Sequence, residues 1–323
     1  MSIEMMHVLG HPFLPLDTEK HSADAQVWAC HRFCRLLAFL KIPFVYYGVE
    51  GSKVPEGGRF VRCRKLANWK FRNKAHYAYN ERLSALLKKN SGGGREIAAS
   101  MYGAPQLDVE CGMPVIEPMV GYDHCWSEYR VFPSRAHQNV IYTTCAKIVW
   151  NNHENDAVIP HFVEKEEFFV SEKHGGYLLY LGRDSEGKGC DIARAVAEKS
   201  GLQLREEHDG WSGRAKAELI ANAKAVLAPT RYVEPFGYIA AEAMMSGVPV
   251  LASDWGAFPE IIEQGVSGFL CRSVDDYVAA LKKVDSLDRK KIRESAVRRF
   301  SLEAVAPLYK SFFERVLTIV VVK

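Results

Sequence analysis

The sequence predicts an α/β protein of two doubly wound domains, each a parallel β-sheet with helices on both faces. The chain has 323 residues, more than one hydrophobic core usually serves, so two domains of about 150 residues are expected, with a cleft between them. Short apolar segments alternate regularly with segments of helical periodicity, which favours parallel strands joined by helices. The composition, 48% hydrophobic and 25% charged residues, is that of an ordinary globular protein and excludes a disordered chain.

The first half opens with one strand-helix-strand unit. The segment MMHVLG predicts a strand, and apolar residues at helical spacing from Ala29 to Leu40 predict the helix that follows it. PFVYYGVEG predicts the second strand. Further strands and short helices are predicted from QLDVECG to VIYTTC. The polar segment EKEEFFVSEKHGG comes after the strand-like AVIPHF, and the domain boundary is predicted within it.

A basic segment lies in the first half. Residues 1–150 contain 19 Lys and Arg against 13 Asp and Glu, so this half carries a charge of +6 while the whole chain carries +3. Most of the excess lies in RFVRCRKLANWKFRNK, residues 59–74, where aromatic rings are interleaved with the cations. One interpretation is a solvated loop. The other is a site for a phosphate-bearing acceptor, with Arg62, Arg64 and Lys65 on the acceptor side.

The second half alternates more clearly. Five strands are predicted over GYLLYLGR, LQLREE, KAVLAPT, PVLASD and GFLC. Helices are predicted over CDIARAVAEKSG, over GRAKAELIANA, and from Gly237 or Tyr238 to Gly247. In an open sheet of this kind, ligands bind beyond the carboxyl ends of the strands. Glu234 follows the end of KAVLAPT and is therefore expected at such a site.

Two glutamates flank the start of the third of these helices. If the helix begins near Tyr238, Glu242 lies one turn in and leans back toward the N-terminus, so it should face the same crevice as Glu234. The unpaired amides of Gly237, Tyr238 and Ile239 favour an anionic ligand there. Carboxylates accept hydrogen bonds from hydroxyl groups, so a nucleotide sugar suits both features. The alternative is a helix cap at Glu234 and a surface ion pair at Glu242.

Two cations follow another predicted strand. Arg183 comes directly after YLG, and Lys188 stands in a glycine-containing turn that leads into a helix. Two cations at a strand end, with backbone amides nearby, suit a diphosphate. We therefore expect Arg183 and Lys188 to bind a diphosphate from across the sheet from Glu234.

These motifs resemble those of the family 4 retaining glycosyltransferases of GT-B fold. The shared pattern comprises Gly182-Arg183, Lys188-Gly189, Glu234-Pro235-Phe236-Gly237, Glu242-Ala243-Met244, Gly247-Val248-Pro249-Val250 and Pro259-Glu260. AVIPHFVEKEEF is similar to the segment that joins the two domains in this family, with His161 and Phe162 in place of Asn and Gly. SLEAVAPLYKSFFERV resembles the terminal helix that returns to the first domain.

The resemblance implies two Rossmann-like domains facing a central cleft. Residues 1–165 would bind the acceptor, residues 166–300 the nucleotide sugar, and residues 301–323 would return to the first domain. The implied reaction moves a hexose from a nucleoside diphosphate sugar, such as UDP-glucose, to an acceptor hydroxyl with the configuration retained. No essential metal and no cofactor beyond the donor are expected, because the chain lacks an Asp-x-Asp motif and enzymes of this fold usually act without metal.

The same resemblance assigns residues of the second domain to parts of the donor. Arg183 and Lys188 would stabilise the leaving diphosphate, and Glu234 would bind the sugar hydroxyls while Glu242 holds the ribose. Trp211 is assigned either to stacking on the nucleobase or to the core. The other donor-binding positions are Gly182, Pro235, Phe236, Gly237, Tyr238 and Ile239.

The first half departs from the family pattern. GHPFLPLDTEKHSADAQ replaces the usual Gly-Gly of the first loop, and His11 within it is assigned to the acceptor side. The family's histidine near the transferred sugar has no evident counterpart. Glu117, for a catalytic role, and His124, on the acceptor side, are the candidates in that region. The alternatives are a buried ion-pair partner for Glu117 and a loop histidine for His124.

Two further functions remain open. An epimerase of GT-B fold would consume a nucleotide sugar without any acceptor. A non-catalytic protein that binds nucleotide sugars or nucleic acid would not need Arg183, Lys188 and both glutamates together. For a transferase, the acceptor is a glycan, a lipid, a small metabolite or a hydroxymethylated base in DNA.

Cysteine spacing and the chain ends predict a cytoplasmic protein. The eight cysteines show no zinc-binding spacing, and the start MSIEMMHVLGHPF lacks the basic region of a signal peptide. The apolar tail LTIVVVK is much shorter than the ~20 residues that span a bilayer. The oligomeric state is not predicted.

Overall fold

The computed structural model describes residues 3–21, 24–120, 125–144, 153–173, 175–208 and 211–322. The chain forms two compact units. Unit 1 comprises Met1–Phe132, Ile141–Ile159 and Ala306–Lys323, and unit 2 comprises Pro133–Val140 and Pro160–Val305. The sequence prediction had placed the domain boundaries at residues 165 and 300.

Unit 1 contains a seven-stranded parallel sheet. Its strands are β1 (Met5–Leu9), β2 (Phe44–Gly48), β3 (Gly58–Arg62), β4 (Glu96–Ser100), β5 (Val115–Glu117), β6 (Tyr129–Phe132) and β7 (Ala157–Val158). The order across the sheet is β3-β2-β1-β4-β5-β6-β7, and every pair is parallel. The strand order reverses beside β1, the position at which open sheets of this kind bind ligands.

The helices of unit 1 follow the predicted periodicity. They include α1 (Ala25–Phe39) and α2 (Lys74–Asn90). The Asp24 side chain accepts hydrogen bonds from two amides at the start of α1, and Asn73 accepts one at the start of α2, so each helix begins at a capping residue. Val27, Phe33 and Leu37 of α1 are buried, as its helical spacing predicts.

The basic segment is only partly a loop. Its first residues form β3, the edge strand of the sheet, which pairs with β2 through residues 58–62. The interpretation of the whole segment as a solvated loop is therefore wrong for this part. The rings of Phe60, Phe71 and Tyr77 are exposed, and the guanidinium of Arg72 lies 5.1 Å from the centroid of the Phe71 ring.

Unit 2 contains a five-stranded parallel sheet. Its strands are β8 (Leu178–Leu181), β9 (Leu204–Glu207), β10 (Ala225–Ala228), β11 (Val250–Ser253) and β12 (Gly268–Cys271), in the order β12-β11-β10-β8-β9. The helices after unit 1's α2 are α3 (Arg135–Thr144), α4 (Cys190–Ser200), α5 (Gly213–Ala221), α6 (Tyr238–Met245), α7 (Phe258–Ile261), α8 (Val274–Leu281), α9 (Arg289–Phe300) and α10 (Leu302–Val322). The predicted α/β class with two parallel sheets is confirmed.

Helix α6 occupies the centre of the core of unit 2. Ala240, Ala243 and Met244 are fully buried, and the helix contacts strands β10 and β11 as well as helix α9. Small side chains let the helix approach the sheet closely, which explains the Ala/Met-rich sequence of α6. The position of α6 in the core holds its N-terminal end rigidly beside the loop that contains Glu234.

None of the helices in the described ranges is long and apolar enough to cross a membrane.

Candidate functional site

The loop before α6 needs glycine where it turns into the helix. Gly237 has φ +82°, and a Cβ atom there would lie 2.7 Å from the Phe258 ring. Only glycine tolerates both the left-handed conformation and the close contact. No side chain caps this end of α6, so its first backbone amides form a partial positive pole. This agrees with the predicted start of the helix at Tyr238.

Glu234 is a buried carboxylate held by two donors. Only 6% of the residue is exposed. Its Oε2 atom accepts hydrogen bonds from Lys188 Nζ at 2.8 Å and from the Tyr232 hydroxyl at 2.7 Å. Its backbone carbonyl accepts from the Ala257 amide at 2.9 Å. Because contacts hold both its main chain and its side chain, Glu234 has a defined position at the carboxyl end of β10.

Lys188 reaches Glu234 from the turn that follows the neighbouring strand. Strands β8 and β10 are adjacent in the sheet, so the segments after them meet at one edge. The turn ends in Gly189, which has φ +71° and leaves no room for a Cβ atom beside the carbonyl oxygen of Pro229. The expected position of Lys188 across the sheet from Glu234 is wrong, since the strand order makes the two residues direct neighbours, whereas diphosphate binding by Lys188 stays a prediction. The structure pairs the two residues.

Arg183 follows β8 directly and is exposed. Its carbonyl oxygen accepts a hydrogen bond from the Tyr180 hydroxyl at 2.8 Å, and the Gly182 amide donates to the carbonyl of Glu207 at 3.0 Å. These bonds fix the backbone of the turn. The guanidinium itself makes no ion pair with any residue in the described part of the chain, and it is therefore available to an anion.

Glu242 forms a second buried pair. Only 4% of this residue is exposed, and Lys216 Nζ lies 2.7 Å from its Oε1 atom and 2.6 Å from its Oε2 atom. Lys216 lies on α5, and the prediction from the sequence did not include it. The alternative of a surface ion pair at Glu242 is right about the ion pair but wrong about its exposure, because the carboxylate is buried. Periodicity could have indicated a charged residue facing inward from α5, but not its partner.

Trp211 packs against the core of unit 2 and has one polar contact. Its Nε1 atom donates to the Glu207 carboxylate at 3.1 Å. The core assignment is thus supported for part of the ring. Gly210, which borders it, lies outside the described residues, and stacking on a nucleobase stays a prediction.

Aromatic rings surround the loop that contains Glu234. The His161 and Tyr238 rings are stacked with centroids 5.2 Å apart and an interplanar angle of 4°. Phe236 is buried and contacts both rings edge-on. The hydroxyl of Ser134 donates to the Pro235 carbonyl at 2.7 Å. These contacts hold the Pro-Phe-Gly segment in place and explain a motif residue, His161, that the sequence left without a role.

Glu260 has a structural role in unit 2. Its carboxylate accepts hydrogen bonds from the Arg135 and Ala136 amides at 2.9 and 2.8 Å, so it caps the start of α3. Ser134 accepts from the His137 amide at 3.0 Å and completes the cap. The late Pro-Glu motif therefore joins α7 to the beginning of α3.

In unit 1, Glu117 is buried at the carboxyl end of β5. Its Oε2 atom accepts hydrogen bonds from the Trp126 and Ser127 amides at 3.0 and 3.4 Å, while its Oε1 atom has no partner among the described residues. Burial raises the pKa of Glu117 to about 7. Its burial agrees with the alternative of a buried ion-pair partner, but no described residue forms an ion pair with it, so that alternative and the catalytic role both stay predictions.

The other predicted residues of unit 1 differ in exposure. His11 is buried, its Nδ1 atom accepts from the Leu14 amide at 3.0 Å, and burial lowers its pKa to about 4, so it is neutral near pH 7. Arg62 is exposed and pairs with Glu50 at 2.9 Å. Arg64 and Lys65 are exposed. His124 lies outside the described residues.

Cys190, Glu206 and His208 lie close enough to share a metal ion, with their ligand atoms within 4.8 Å of one another. They do not suit a cation. The Arg194 guanidinium pairs with Glu206 and holds the pKa of that carboxyl at about 2, and burial raises the pKa of the Cys190 thiol to about 12. A protonated thiol and an arginine beside the carboxylate both oppose metal binding. The expectation of no essential metal stays a prediction.

Part of unit 2 is similar to known proteins. Residues 197–299 match the family described as glycosyl transferases group 1. The N-acetyl-alpha-D-glucosaminyl L-malate synthase of Bacillus anthracis is 33% identical over 109 residues, which are 31% of this chain and 28% of the relative. The chain thus matches less than a third of that relative's length.

Solved structures show the same fold over nearly the whole chain. AviGT4, a glycosyltransferase involved in avilamycin A biosynthesis, superposes with a TM-score of 0.70 at 18% identity and covers 98% of both chains. The structure of Anabaena HepE in complex with UDP and glucose has a TM-score of 0.68 at 12% identity and covers 97% of this chain and all of that one. At such identities the likeness establishes the fold alone, and that fold is GT-B.

Proposed function

We propose that this chain, a protein of GT-B fold whose residues 197–299 belong to the glycosyl transferases group 1 family, is a retaining glycosyltransferase that uses a nucleoside diphosphate hexose. One observation carries the proposal. Two buried glutamates flank the uncapped start of α6, and a lysine from a separate element binds each of them. Such a site offers acceptors for sugar hydroxyls and donors for phosphate within one unit.

The Lys188–Glu234 pair is suited to a reacting ligand. Tyr232 and Lys188 both donate to Oε2 of Glu234, and no described residue donates to its Oε1 atom, which remains able to accept a sugar hydroxyl. An ammonium group has three N–H donors, so Lys188 retains donors for a phosphate oxygen. Breaking the bond to the anomeric carbon leaves negative charge on the diphosphate. Lys188, the exposed guanidinium of Arg183 and the amides of α6 would stabilise that charge.

UDP-glucose is the proposed donor. The HepE structure holds UDP and glucose, and it shares the fold of this chain over its full length. Glu242 would hold the ribose and Trp211 would border the nucleobase. No metal is assigned to the diphosphate, since two cations and a helix N-terminus already supply positive charge there.

The proposed acceptor carries negative charge close to its reacting hydroxyl. The exposed cations of β3 and the following loop, Arg62, Arg64 and Lys65, support this, and the matched Bacillus relative has an anion, L-malate, in its name. Acidic or phosphorylated glycans, anionic metabolites and DNA with hydroxymethylated bases meet this description. Glu117 would act on the acceptor side, where a carboxyl group with a pKa of about 7 can exchange a proton at neutral pH.

The test is a panel of nucleotide sugars incubated with the protein, with and without candidate acceptors, in buffer with and without EDTA. We expect slow hydrolysis of one donor alone, transfer with retention when the acceptor is present, and no loss of activity with EDTA. The configuration is assigned from the anomeric proton signals of the product. Formation of an epimeric nucleotide sugar without an acceptor would identify an epimerase instead, and binding without turnover would identify a binding protein.

A further inference from the structure

Lys216 belongs to no motif of the sequence, yet it contacts a residue of the site directly. Its Nζ atom bridges both oxygens of Glu242, at 2.7 Å from Oε1 and 2.6 Å from Oε2. The lysine side chain is 24% exposed and that of Glu242 is 6% exposed. Neither side chain has a second ion-pair partner in the described part of the chain, so the two form an isolated pair.

The buried position of Glu242 requires a positive partner such as Lys216 to offset the desolvation of its carboxylate. Glu242 lies on α6 among the buried residues Ala241 and Ala243, where an uncompensated carboxylate has a large desolvation cost. Lys216 lies on α5, which packs against α6. Because both partners are on helices that contact each other, the pair has little freedom to change its geometry.

The bridging geometry leaves half of the accepting capacity of Glu242 available. Each carboxylate oxygen can accept about two hydrogen bonds, and Lys216 uses one at each oxygen. An ammonium group that contacts both oxygens also fixes the plane of the carboxylate. Two neighbouring hydroxyl groups, as on the 2′ and 3′ carbons of a ribose, can then donate one hydrogen bond to each oxygen.

We propose that Lys216 is a positioning residue for the ribose of the donor, which it serves by orienting the Glu242 carboxylate toward the two ribose hydroxyls. This inference rests on the proposed nucleotide-sugar function and names the group that prepares its ribose-binding residue. Lys216 does not touch the ligand. Its loss should therefore weaken binding only of ligands that have both hydroxyls.

The experiment compares ribose and dideoxyribose ligands by calorimetry. UDP, GDP and ADP are titrated into the full chain, and the nucleotide that binds is compared with its 2′,3′-dideoxy form. We expect Lys216→Met to weaken binding of the ribose form about tenfold or more and to leave the dideoxy form unchanged. Lys199→Met is the matched control, because Lys199 pairs with Asp275 on the surface of the same unit. That control should bind both forms like the wild type.

Lys216→Met leaves the buried Glu242 carboxylate without its lysine, so this variant alone is not a sufficient test. A double-mutant cycle provides a second one. The double variant Lys216→Met/Glu242→Met replaces the pair by apolar groups, which proteins usually tolerate, and Glu242→Met leaves only Lys216, whose side chain is 24% exposed. The two variants should bind the ribose form equally, because Lys216 acts only through Glu242. Weaker binding by the double variant would show that Lys216 contacts the ligand itself and would overturn the proposal.

The outcomes separate this inference from the function on which it rests. If none of the three nucleotides binds, the proposed function fails and the inference fails with it. If the wild type binds ribose and dideoxyribose forms equally, the nucleotide site stands but Glu242 and Lys216 have no role toward the ribose. Equal weakening of both forms by Lys216→Met would mean a structural role and would also overturn the proposal.

Discussion

Glu117 of unit 1 and the two glutamates of the candidate site in unit 2 are buried to a similar degree but have different partners. Glu234 and Glu242 in unit 2 are 6% and 4% exposed, and each is paired with a lysine. Glu117 in unit 1 is 2% exposed and forms no ion pair with the residues that the structure describes, and burial raises its pKa to about 7. The comparison shows that ion pairing with a lysine, rather than the degree of burial, distinguishes these carboxylates. Unit 2 holds charge in place, whereas unit 1 holds a carboxyl group that can gain or lose a proton near neutrality.

A smaller contrast exists inside unit 2. Lys188 and Glu234 lie on segments that follow neighbouring strands, and only one oxygen of the glutamate is engaged. Lys216 and Glu242 lie on packed helices, and both oxygens are engaged. In the first pair one oxygen of the glutamate has no donor among the described residues, whereas in the second pair the lysine contacts both oxygens and so orients the carboxylate. This difference supports the proposal that the first pair binds the reacting part of the donor and the second its ribose.

The largest expected effect concerns the paired carboxylate at the reacting sugar. Glu234→Gln should lower kcat/KM about 100-fold or more, because the amide loses both the charge and part of the accepting capacity of the carboxylate. Steady-state kinetics with the best donor, together with a thermal melt to confirm folding, measures this. Tyr232→Phe is the matched control, since it removes the other donor to the same oxygen and should have a smaller effect. Wild-type activity in Glu234→Gln would remove Glu234 from the site.

The unpaired carboxyl of unit 1 should make stability depend on pH. Burial raises the pKa of Glu117 from 4.5 to about 7, so the folded state binds this proton more tightly than the unfolded state does. Its stabilising contribution is complete below pH ~4.5 and is lost as the pH rises through 7. Relative to Glu117→Gln, the wild type should lose about 3 kcal/mol of unfolding free energy between pH 4.5 and 8.

Denaturant unfolding at both pH values measures this difference. The exposed Glu110→Gln is the control and should follow the wild type. Parallel pH dependence in Glu117→Gln and the wild type would mean that Glu117 is charged in the folded protein, and the contrast between the units would disappear.

The cations beside Glu234 should affect diphosphate binding to a lesser extent. Lys188→Met and Arg183→Ala should each weaken binding of the nucleoside diphosphate about tenfold, because each removes one charged donor to the same group. Calorimetry measures the affinity, and Arg214→Ala, which removes an exposed cation paired with Glu218, is the control. Unchanged affinity in both variants would place the diphosphate elsewhere in unit 2.

The smallest expected effect concerns the surface of unit 1. If the acceptor is a polyanion, its KM should rise steeply from low to moderate salt, and less steeply after Arg62, Arg64 and Lys65 are replaced by Ser. Donor hydrolysis should not change. The matched control replaces three exposed cations of α2, Arg82, Lys88 and Lys89, and should keep the wild-type salt dependence. The same salt dependence in both triple variants would remove the basic segment from the acceptor site.

The boundaries of most elements could be predicted from local sequence. Strands β1, β2, β8 and β10 to β12 are largely apolar segments, and α4 ends at Gly201, which has φ +68°. Strand β3 was missed, because its residues are charged and half exposed at the edge of the sheet. An edge strand pairs on one side only and buries little, so its sequence lacks the apolar signal on which strand prediction depends.

By itself, the sequence determined the α/β alternation, the glycines at which the chain turns, and the two glutamates on either side of the start of α6. These features depend on contacts between residues a few positions apart, and local rules describe them. Only the tertiary structure decided which residues pair with these glutamates and with Glu260. Strand order placed Lys188 beside Glu234 rather than across the sheet, helix packing placed Lys216 on Glu242, and the chain brought Glu260 to the start of α3. Residues this far apart in the chain come into contact only when the sheet and its helices are assembled. The partner of a buried charge therefore depends on the tertiary structure and cannot be predicted from neighbouring residues in the sequence.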